Sequence, residues 1–571
     1  MNGIDPARRP GEGDRPDLLL LRLVAALVAV GCALRLRQYL FQRSLWLDEA
    51  MLAVSIASRS IADLLLPLEF NQNAPPLFLW ASKAATVLFG INELALRAVP
   101  QIAGWFVVAG IAGATWRSFG PRGAVVGASL AALSPALIRF ANEAKPYGVD
   151  AAATVLFLLL ILDRKEEFTP ARWGLLGAAG CAGVWFSHPA VFVAVAFWAG
   201  LLIRFRGNKR QGILALKTGG LWLGAFLVSY AFLGQRDAGN EQVRAGYSTA
   251  FLPPTADSFD RLPLMIAGTF LPAFLGDGTT APAISWGQSA GLLLAMTVSV
   301  GAAVRFLGGW VALPLCGPMV LAYAAASLGL YPAGVPRLMV FCYPCIIVAV
   351  SCLGAIGSRY PEPRRERLAV VLWLLLLWPS WTSAAGVWAT PFRGDDFRGA
   401  YAEYESLQLG EPVYISAKAQ PAWLFYSTNW SPATRRQADL MASRLRFYFE
   451  AGGHGPSFEN APSRGRPVEP GEGSGLVFDF RGRLEVLGIA TGRQWRWPSY
   501  VSGVDAGWES NEAQRVRAAA GQAKRPCEWL VFERLSELSY RPLRNELRFA
   551  HQGRLERQLG YPGVTIAQIC H

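Results

Sequence analysis

The chain has 571 residues, of which 52% are hydrophobic and only 17% are charged, and its mean hydropathy is +0.27. Soluble globular chains carry about 25% charged residues, so this sequence has too few charges to cover a surface that faces water on all sides. The apolar residues fall in long runs such as 18–34 and 368–378, which are typical of helices that cross a bilayer. These features exclude a soluble enzyme and indicate a polytopic membrane protein.

The net charge of +13 is concentrated in the apolar part of the chain. Residues 389–571 contain 23 Lys/Arg and 20 Asp/Glu, so residues 1–388 hold all but three of the thirteen excess positive charges. The basic residues of that part lie in short turns between apolar runs, which is the positive-inside pattern of membrane topology. The charge therefore does not indicate nucleic acid as a partner.

In chain order, we predict a cytoplasmic N-terminus (1–17), a transmembrane domain (18–388) and an extracytoplasmic soluble domain (389–571). Long outer loops are expected at 37–96 and 234–285. Within the second of these loops, the apolar segment 262–275, which Pro263 and Pro272 interrupt, is expected to lie on the bilayer. Eleven spans are predicted, near 18–36, 97–116, 122–140, 146–162, 171–187, 188–204, 212–233, 286–304, 308–330, 337–356 and 367–388.

Residues 75–90 are apolar but too short to cross about 30 Å of hydrocarbon. The segment opens with Pro75-Pro76 and carries Lys83, so we predict a helix that lies in the interface. This choice places 17 basic residues on the side of the N-terminus and only Lys145 and Arg337 in the short turns opposite. The charge bias therefore predicts that both long loops and the C-terminal domain lie outside the cytoplasm.

The soluble domain is expected to be mixed α/β. Helices are predicted at 395–407 and 421–426, and a basic amphipathic helix at 540–559. Cys527 and Cys570 are the only cysteines in this domain, and an oxidising compartment would allow them to pair. Strands are predicted at 412–415, 476–480, 529–533 and 564–569.

The unusual polar residues of the transmembrane domain converge on its predicted outer face. Taken singly, each has an ordinary explanation as a helix cap, a loop residue, a headgroup contact or a local ion pair. Ionisable residues at membrane depth are nonetheless costly to keep, and their common location favours a functional site. These residues are Asp48, Glu49, Asn73, Pro75, Pro76, Arg97, Glu143, Lys145, Tyr147, Asp150, His188 and Arg337.

At these positions the sequence resembles the GT-C polytopic membrane glycosyltransferases. The similarity is to the bacterial group related to protein O-mannosyltransferases and to lipid A aminoarabinose transferases, and it covers residues 40–350. Ala74 stands where the family has His or Lys, and Lys145 stands where it has Arg. The matching elements are Asp48-Glu49, Ala74-Pro75-Pro76, Phe89-Gly90, Ala95-Leu96-Arg97, Glu143-Ala144-Lys145-Pro146-Tyr147, and Arg337-Leu338 followed by Pro344.

The resemblance implies a GT-C-like fold in a bacterial inner membrane. It also implies transfer of a sugar, with inversion, from a polyprenyl-phosphate carrier to a hydroxyl of a lipid, glycan or protein on the periplasmic face. Asp48 is the expected general base, and Glu49 is expected to orient it or to bind a divalent cation (Mg²⁺ or Mn²⁺) if one is used. Lys145, Arg337 and Arg97 would contact the donor phosphate, while Asn73, Pro75, Pro76, Glu143, Tyr147, Asp150 and His188 would line the substrate site.

Two other functions fit a polytopic chain with buried charges. A transporter or flippase of a lipid-linked substrate would also have intramembrane charges and broken helices. Its binding residues would lie near the bilayer midplane rather than on one face, and the sequence contains no visible inverted repeat. A third hypothesis is a scaffold that retains the fold but has no activity. The departures from the family pattern at Ala74 and Lys145 are compatible with it.

Overall fold

A computed structural model describes most of the transmembrane domain and parts of the C-terminal domain. The predicted cytoplasmic N-terminus and the predicted strand at 476–480 lie outside the described residues. The described residues are 18–66, 68, 72–162, 167–231, 247–252, 256–274, 286–359, 363–406, 413–415, 420–427, 495–496, 527–533, 554–561 and 564–570.

The described part of residues 18–389 is almost entirely helical. Short 3-10 helices at Ser248–Ala250, Leu271–Ala273, Gly309–Val311 and Pro336–Cys342 connect the longer elements. The α-helices are α1 (Leu18–Leu40), α2 (Leu47–Ser58), α3 (Pro76–Phe89), α4 (Glu93–Leu133), α5 (Pro135–Phe140), α6 (Tyr147–Ile161), α7 (Pro170–Phe186), α8 (Ala190–Arg204), α9 (Lys209–Ser229), α10 (Ala256–Phe270), α11 (Trp286–Leu307), α12 (Ala312–Ser327), α13 (Tyr343–Val350), α14 (Leu353–Arg359) and α15 (Pro363–Ala389).

A helix occupies each of the eleven predicted spans, which confirms the helical membrane-protein prediction. The span predicted at 97–116 and the first part of the span predicted at 122–140 belong to one long element, α4, which breaks at Gly120, where φ is +76°. The rest of the second span forms α5. Within the described residues, seven helices are long and apolar enough to cross a membrane by themselves. The number eleven therefore stays a prediction, because several of the other helices have fewer than 18 residues.

The ambiguous segment 75–90 forms α3, whose 14 residues span about 21 Å and are too short to cross the hydrocarbon. Its Lys83 is buried and donates hydrogen bonds to the carbonyls of Ile56 (2.8 Å) and Ala57 (3.1 Å). A cation at this position stabilises the negative end of the α2 dipole. Lys83 thus stabilises α2, the helix whose first turn contains the acidic pair. The interfacial position of α3 stays a prediction.

The long helix α4 packs against both α1 and α6 in the centre of the bundle. Glycine makes one of these contacts close: a Cβ atom at Gly110 would lie 2.3 Å from Cγ1 of Val155 in α6. In a bilayer the hydrophobic effect does not drive helices together, because lipid tails are as apolar as the side chains. Small residues instead let helix backbones approach closely and gain van der Waals contact. This packing fixes the N-terminal ends of α4 and α6 relative to each other, and both ends carry candidate site residues.

The apolar segment of the second outer loop forms α10 and the 3-10 helix that follows it. Phe270 is buried, and the Tyr343 hydroxyl donates to the Thr269 carbonyl at 2.8 Å. The segment therefore packs against the 3-10 helix Pro336–Cys342, which carries Arg337. Its predicted location on the bilayer stays a prediction.

The C-terminal domain contains two described helices and a five-stranded mixed sheet. The helices are α16 (Phe397–Ser406) and α17 (Gln420–Ser427). The strands are β1 (Val413–Ile415), β2 (Trp495–Arg496), β3 (Cys527–Glu533), β4 (Arg554–Tyr561) and β5 (Val564–Cys570), in the spatial order β2-β1-β3-β5-β4.

The amphipathic helix predicted at 540–559 is wrong over its last residues, which belong to β4. Leu555 and Leu559 are four positions apart, a spacing that suits one face of a helix. The antiparallel pairing with β5, in which Tyr561 lies opposite Val564, gives these residues a strand partner instead. The local pattern of this segment was compatible with a helix, and its pairing with β5 determined that it forms a strand.

The register of the sheet predicts a disulfide. Cys527 lies directly opposite Cys570 in the antiparallel pair of β3 and β5. Opposite residues have Cα atoms about 4.5–5.5 Å apart, within the range of disulfides. If the domain faces an oxidising compartment, mass spectrometry of the full-length protein, alkylated without reduction, should find the two cysteines cross-linked. A Cys527→Ser variant should leave Cys570 open to alkylation, and alkylation of both wild-type cysteines would contradict the prediction.

Candidate functional site

Asp48 and Glu49 occupy the first turn of α2, where the positive end of the helix dipole favours carboxylates. Consecutive positions on a helix point in different directions, so the two side chains have different surroundings. The Asp48 side chain is 19% exposed, whereas the Glu49 side chain is fully buried. The structure thus separates one accessible carboxylate from one inaccessible carboxylate.

Asp48 lies between two cations that come from different parts of the chain. Its Oδ1 is 3.0 Å from Lys145 Nζ, and its Oδ2 is 3.7 Å from Arg337 Nη1. The Tyr147 hydroxyl donates a long hydrogen bond of 3.5 Å to Oδ2. Burial raises the pKa of Asp48, but the charges of Lys145 and Arg337 outweigh burial and hold that pKa below its ordinary value. Asp48 is therefore ionised at neutral pH and can accept a proton.

Glu49 is held by two buried arginines. Arg97 donates to it through Nε (2.8 Å) and Nη2 (2.7 Å), and Arg43 donates through Nη1 (2.7 Å). The backbone N–H of Ala144 adds a bond of 2.8 Å. Burial opposes ionisation of Glu49, but these partners lower its pKa to about 2. This carboxylate connects α2 to α4 and to the turn before α6, which suits a structural role.

Arg43 extends the same network to Glu143. Its Nη2 lies 3.9 Å from Glu143 Oε1, which also accepts a bond of 3.1 Å from Arg139 Nε. Burial raises the pKa of Glu143, and the two arginine charges oppose this shift only in part. Glu143 Oε2 is buried without a hydrogen-bond partner. The turn between α5 and α6 is thereby attached to the loop before α2.

The ion pairs at the accessible end of this cluster have a positive balance. Two cations, Lys145 and Arg337, face the single carboxylate of Asp48, so one positive charge is in excess there. Charges that are removed from water are costly without a counter-charge. The cluster is therefore suited to bind an anion.

The acidic pair does not fit the divalent cation that the resemblance leaves open. Both oxygens of Glu49 accept arginine hydrogen bonds, and Asp48 faces Lys145 and Arg337. Among the residues that the structure describes, no group of three His, Cys, Asp or Glu side chains could hold a metal ion.

The other predicted site residues lie around this cluster. Lys145 donates to Gln72, and the neighbouring Asn73 Oδ1 lies 2.9 Å from His188 Nε2. Pro75 and Pro76 begin α3, where a proline costs no helical hydrogen bond. Asp150, in the first turn of α6, is buried, and its Oδ1 has no hydrogen-bond partner. Within the described part of the chain, neither Asp150 nor Arg97 forms a hydrogen bond or ion pair with Asp48, whose partners are Lys145, Arg337 and Tyr147.

Several residues of the site were not predicted, among them Arg43, Trp46 and Tyr247. Arg337 Nη2 donates to the Tyr247 hydroxyl at 2.8 Å, so the second outer loop reaches the site. The Arg337 guanidinium also lies 5.6 Å from the ring centre of Trp46. Arg43 had a local signal, since it is a basic residue six positions before Glu49. Tyr247 had none, because 90 residues separate it from Arg337.

Comparison with known proteins supports the resemblance. Residues 73–233 match the family model described as dolichyl-phosphate-mannose-protein mannosyltransferase. No curated protein matches the chain by sequence. The matched region includes Lys145 and Asp150 but not Asp48 or Arg337. The match over this part of the chain is consistent with the resemblance to the GT-C enzymes.

The fold is similar to that of solved GT-C proteins. The oligosaccharyltransferase of Archaeoglobus fulgidus in its apo form superimposes with a TM-score of 0.50 at 13% identity, over 97% of this chain and 75% of that chain. ArnT of Cupriavidus metallidurans bound to undecaprenyl phosphate gives a TM-score of 0.47 at 14% identity, over 96% of this chain and 98% of that chain. The first similarity supports the predicted GT-C-like fold, and at such low identity it shows the fold alone.

Proposed function

We propose that this protein transfers a sugar from a polyprenyl-phosphate carrier to an acceptor hydroxyl at the extracytoplasmic face of a bacterial inner membrane. The observation that carries the proposal is the accessible carboxylate of Asp48 held between Lys145 and Arg337. A carboxylate can take a proton from a hydroxyl, and adjacent cations can bind a phosphate leaving group. Both groups that the reaction needs therefore lie within one site.

In the proposed step, Asp48 accepts the proton of the acceptor hydroxyl. The acceptor oxygen forms a bond to the anomeric carbon, and the bond between that carbon and the phosphate oxygen breaks. The electron pair of the broken bond stays with the polyprenyl phosphate, whose added charge Lys145 and Arg337 stabilise. A single displacement of this kind inverts the configuration of the anomeric carbon.

The same two cations explain how a weakly basic carboxylate becomes a base. Before the donor binds, Lys145 and Arg337 keep the pKa of Asp48 low. A donor phosphate would compete for both cations and would bring negative charge close to Asp48. Each change raises the proton affinity of that carboxylate. Asp48 would thus become a better base when donor is present.

The other residues receive supporting roles in this proposal. Glu49, with Arg43 and Arg97, orients α2 and thereby Asp48. Arg97 is thus proposed as a structural residue rather than a phosphate ligand, because its guanidinium is buried against Glu49 and the carbonyls of Arg43 and Ser44. The remaining predicted residues, Asn73, Pro75, Pro76, Glu143, Tyr147, Asp150 and His188, are proposed to line the substrate site.

Donor binding provides a direct test with a matched control. Undecaprenyl phosphate should bind the purified protein, and Arg337→Met should weaken binding roughly tenfold or more, because a charged hydrogen bond contributes about 1.5–3 kcal/mol. Arg122→Met removes an arginine whose side chain is half-exposed and pairs with Glu366, so it should leave binding unchanged. Native mass spectrometry in detergent can measure all three affinities. Absence of wild-type binding, or equal loss in both variants, would contradict the proposed donor site.

A further inference from the structure

The loop before α2 is held by hydrogen bonds from other parts of the chain. Residues 41–46, here called the base loop, contain no regular helix or strand and lead directly to Asp48. Gln42 has φ +50° and is the one non-glycine residue with positive φ in the described part of the chain. Such a conformation is uncommon for a residue with a side chain and persists where surrounding contacts impose it. The contacts that impose it come from two other elements.

The first half of these contacts comes from the N-terminal end of α4. Arg97 donates through Nη1 to the Arg43 carbonyl at 2.6 Å and through Nη2 to the Ser44 carbonyl at 3.2 Å. Because Arg97 also binds Glu49, one guanidinium fixes both the base loop and the first turn of α2. These contacts lie entirely within the transmembrane domain.

The second half comes from the C-terminal domain, through residues 392–398 and 420–427, here called the strap. Arg398 Nη2 donates to the Gln42 carbonyl at 2.7 Å, and the Leu45 N–H donates to the Tyr426 hydroxyl at 2.7 Å. Ser44 Oγ donates to Asp396 Oδ1 at 2.9 Å. Helix α17 also packs against α2 itself. The strap therefore forms hydrogen bonds to the base loop at Gln42, Ser44 and Leu45.

Glu93 joins the two halves. Its Oε1 accepts a hydrogen bond from the Tyr426 hydroxyl at 2.9 Å and an ion-paired bond from Arg398 Nη1 at 3.1 Å. Glu93 lies one helical turn before Arg97 on α4, so the two side chains share a face. The Tyr426 hydroxyl thus bonds to the base loop at Leu45 and to Glu93, on the helix end that also carries Arg97.

We propose that Tyr426 is a positioning residue, through which the strap of the C-terminal domain holds the base loop and sets the position of Asp48. The hydroxyl is suited to this role because it accepts from Leu45 and donates to Glu93 at the same time, which phenylalanine cannot do. The C-terminal domain is then a required part of the catalytic unit rather than an independent appendage. The effect on catalysis rests on the proposed function, whereas the effect on the loop does not.

Hydrogen exchange tests the loop contact without any assay of activity. Tyr426→Phe keeps the partly buried ring but leaves the Leu45 N–H without its acceptor. The peptide covering residues 41–47 should therefore exchange about two- to tenfold faster in the full-length variant. Tyr230→Phe makes the same change at an exposed position of the transmembrane domain and should match the wild type. Unchanged exchange in Tyr426→Phe would overturn the contact itself.

Turnover and donor affinity then separate positioning from simple structural support. Per folded molecule, Tyr426→Phe should lower sugar transfer roughly ten- to a hundredfold, because a small displacement of a reacting group is costly. Its affinity for undecaprenyl phosphate should remain that of the wild type, since Lys145 and Arg337 are untouched. Faster exchange with normal transfer per folded molecule would overturn positioning. Wild-type protein without any transfer would instead refute the proposed function and leave the exchange result standing.

Discussion

Asp48→Asn should lower the rate of sugar transfer by about 10²–10⁴-fold while the protein stays folded. Asparagine has nearly the same shape as aspartate, but its amide cannot take a proton from the acceptor hydroxyl. The Glu49 network does not include Asp48, so α2 should keep its position. Transfer should be measured per folded molecule, with the membrane level of each variant determined in parallel.

Donor affinity adds a second expectation for this variant. The carboxylate of Asp48 competes with a donor phosphate for Lys145 and Arg337. Removing its charge should leave the affinity for undecaprenyl phosphate equal to or higher than that of the wild type. Asp63→Asn, in the same outer loop, changes an aspartate whose carboxylate accepts a hydrogen bond from nearby Ser60, and it serves as the control. A normal transfer rate in Asp48→Asn would exclude Asp48 as the base.

Glu49→Gln should destabilise the protein by about 3–5 kcal/mol, because it removes the negative charge that two buried guanidinium groups share. Glutamine would also direct an N–H₂ group at Arg43 or Arg97. Glu366→Gln breaks the half-exposed pair with Arg122 and should cost no more than about 1 kcal/mol. Thermal unfolding in detergent compares the two variants. Equal melting temperatures would contradict the structural role of Glu49.

The same carboxylate predicts a dependence of stability on pH. The pKa of Glu49 is about 2 in the folded protein against 4.5 ordinarily. A carboxyl whose pKa is lowered by folding contributes its stability above its unfolded pKa and loses it as pH falls towards the folded value. The wild-type melting temperature should therefore decrease as the pH is lowered from about 4.5 to about 2. In the Glu49→Gln variant this part of the pH dependence should be smaller.

The sequence was sufficient to predict the membrane helices and part of the candidate site. Long apolar runs indicate membrane helices because a bilayer leaves few alternatives for the backbone. The Asp-Glu pair, Lys145 and Arg337 could be singled out because ionisable residues are costly in an apolar chain. The structure brings Asp48, Lys145, Tyr147 and Arg337 together, although 99 residues separate Asp48 from Tyr147.

The different roles within the acidic pair could not be predicted from the sequence. Asp48 and Glu49 are neighbours in the chain, and only the direction of each side chain on α2 decides which one meets Arg97. The contacts of Tyr247 and Tyr426 were equally hidden, because they join residues 90 and more than 300 positions apart. The C-terminal domain is a further example, because β4 forms a strand through its pairing with β5, which the local sequence does not reveal. Local patterns predict elements, whereas tertiary contacts assign roles.

Mass spectrometry of envelope lipids and glycans from a deletion strain tests the central claim most directly. The strain is complemented either with the wild-type gene or with the Asp48→Asn variant at equal membrane levels. The proposal predicts that one mass increment of the size of a sugar disappears on deletion and returns only with the wild-type gene, which also identifies the acceptor. Equal complementation by both genes would contradict the account and would favour a transporter or an inactive scaffold.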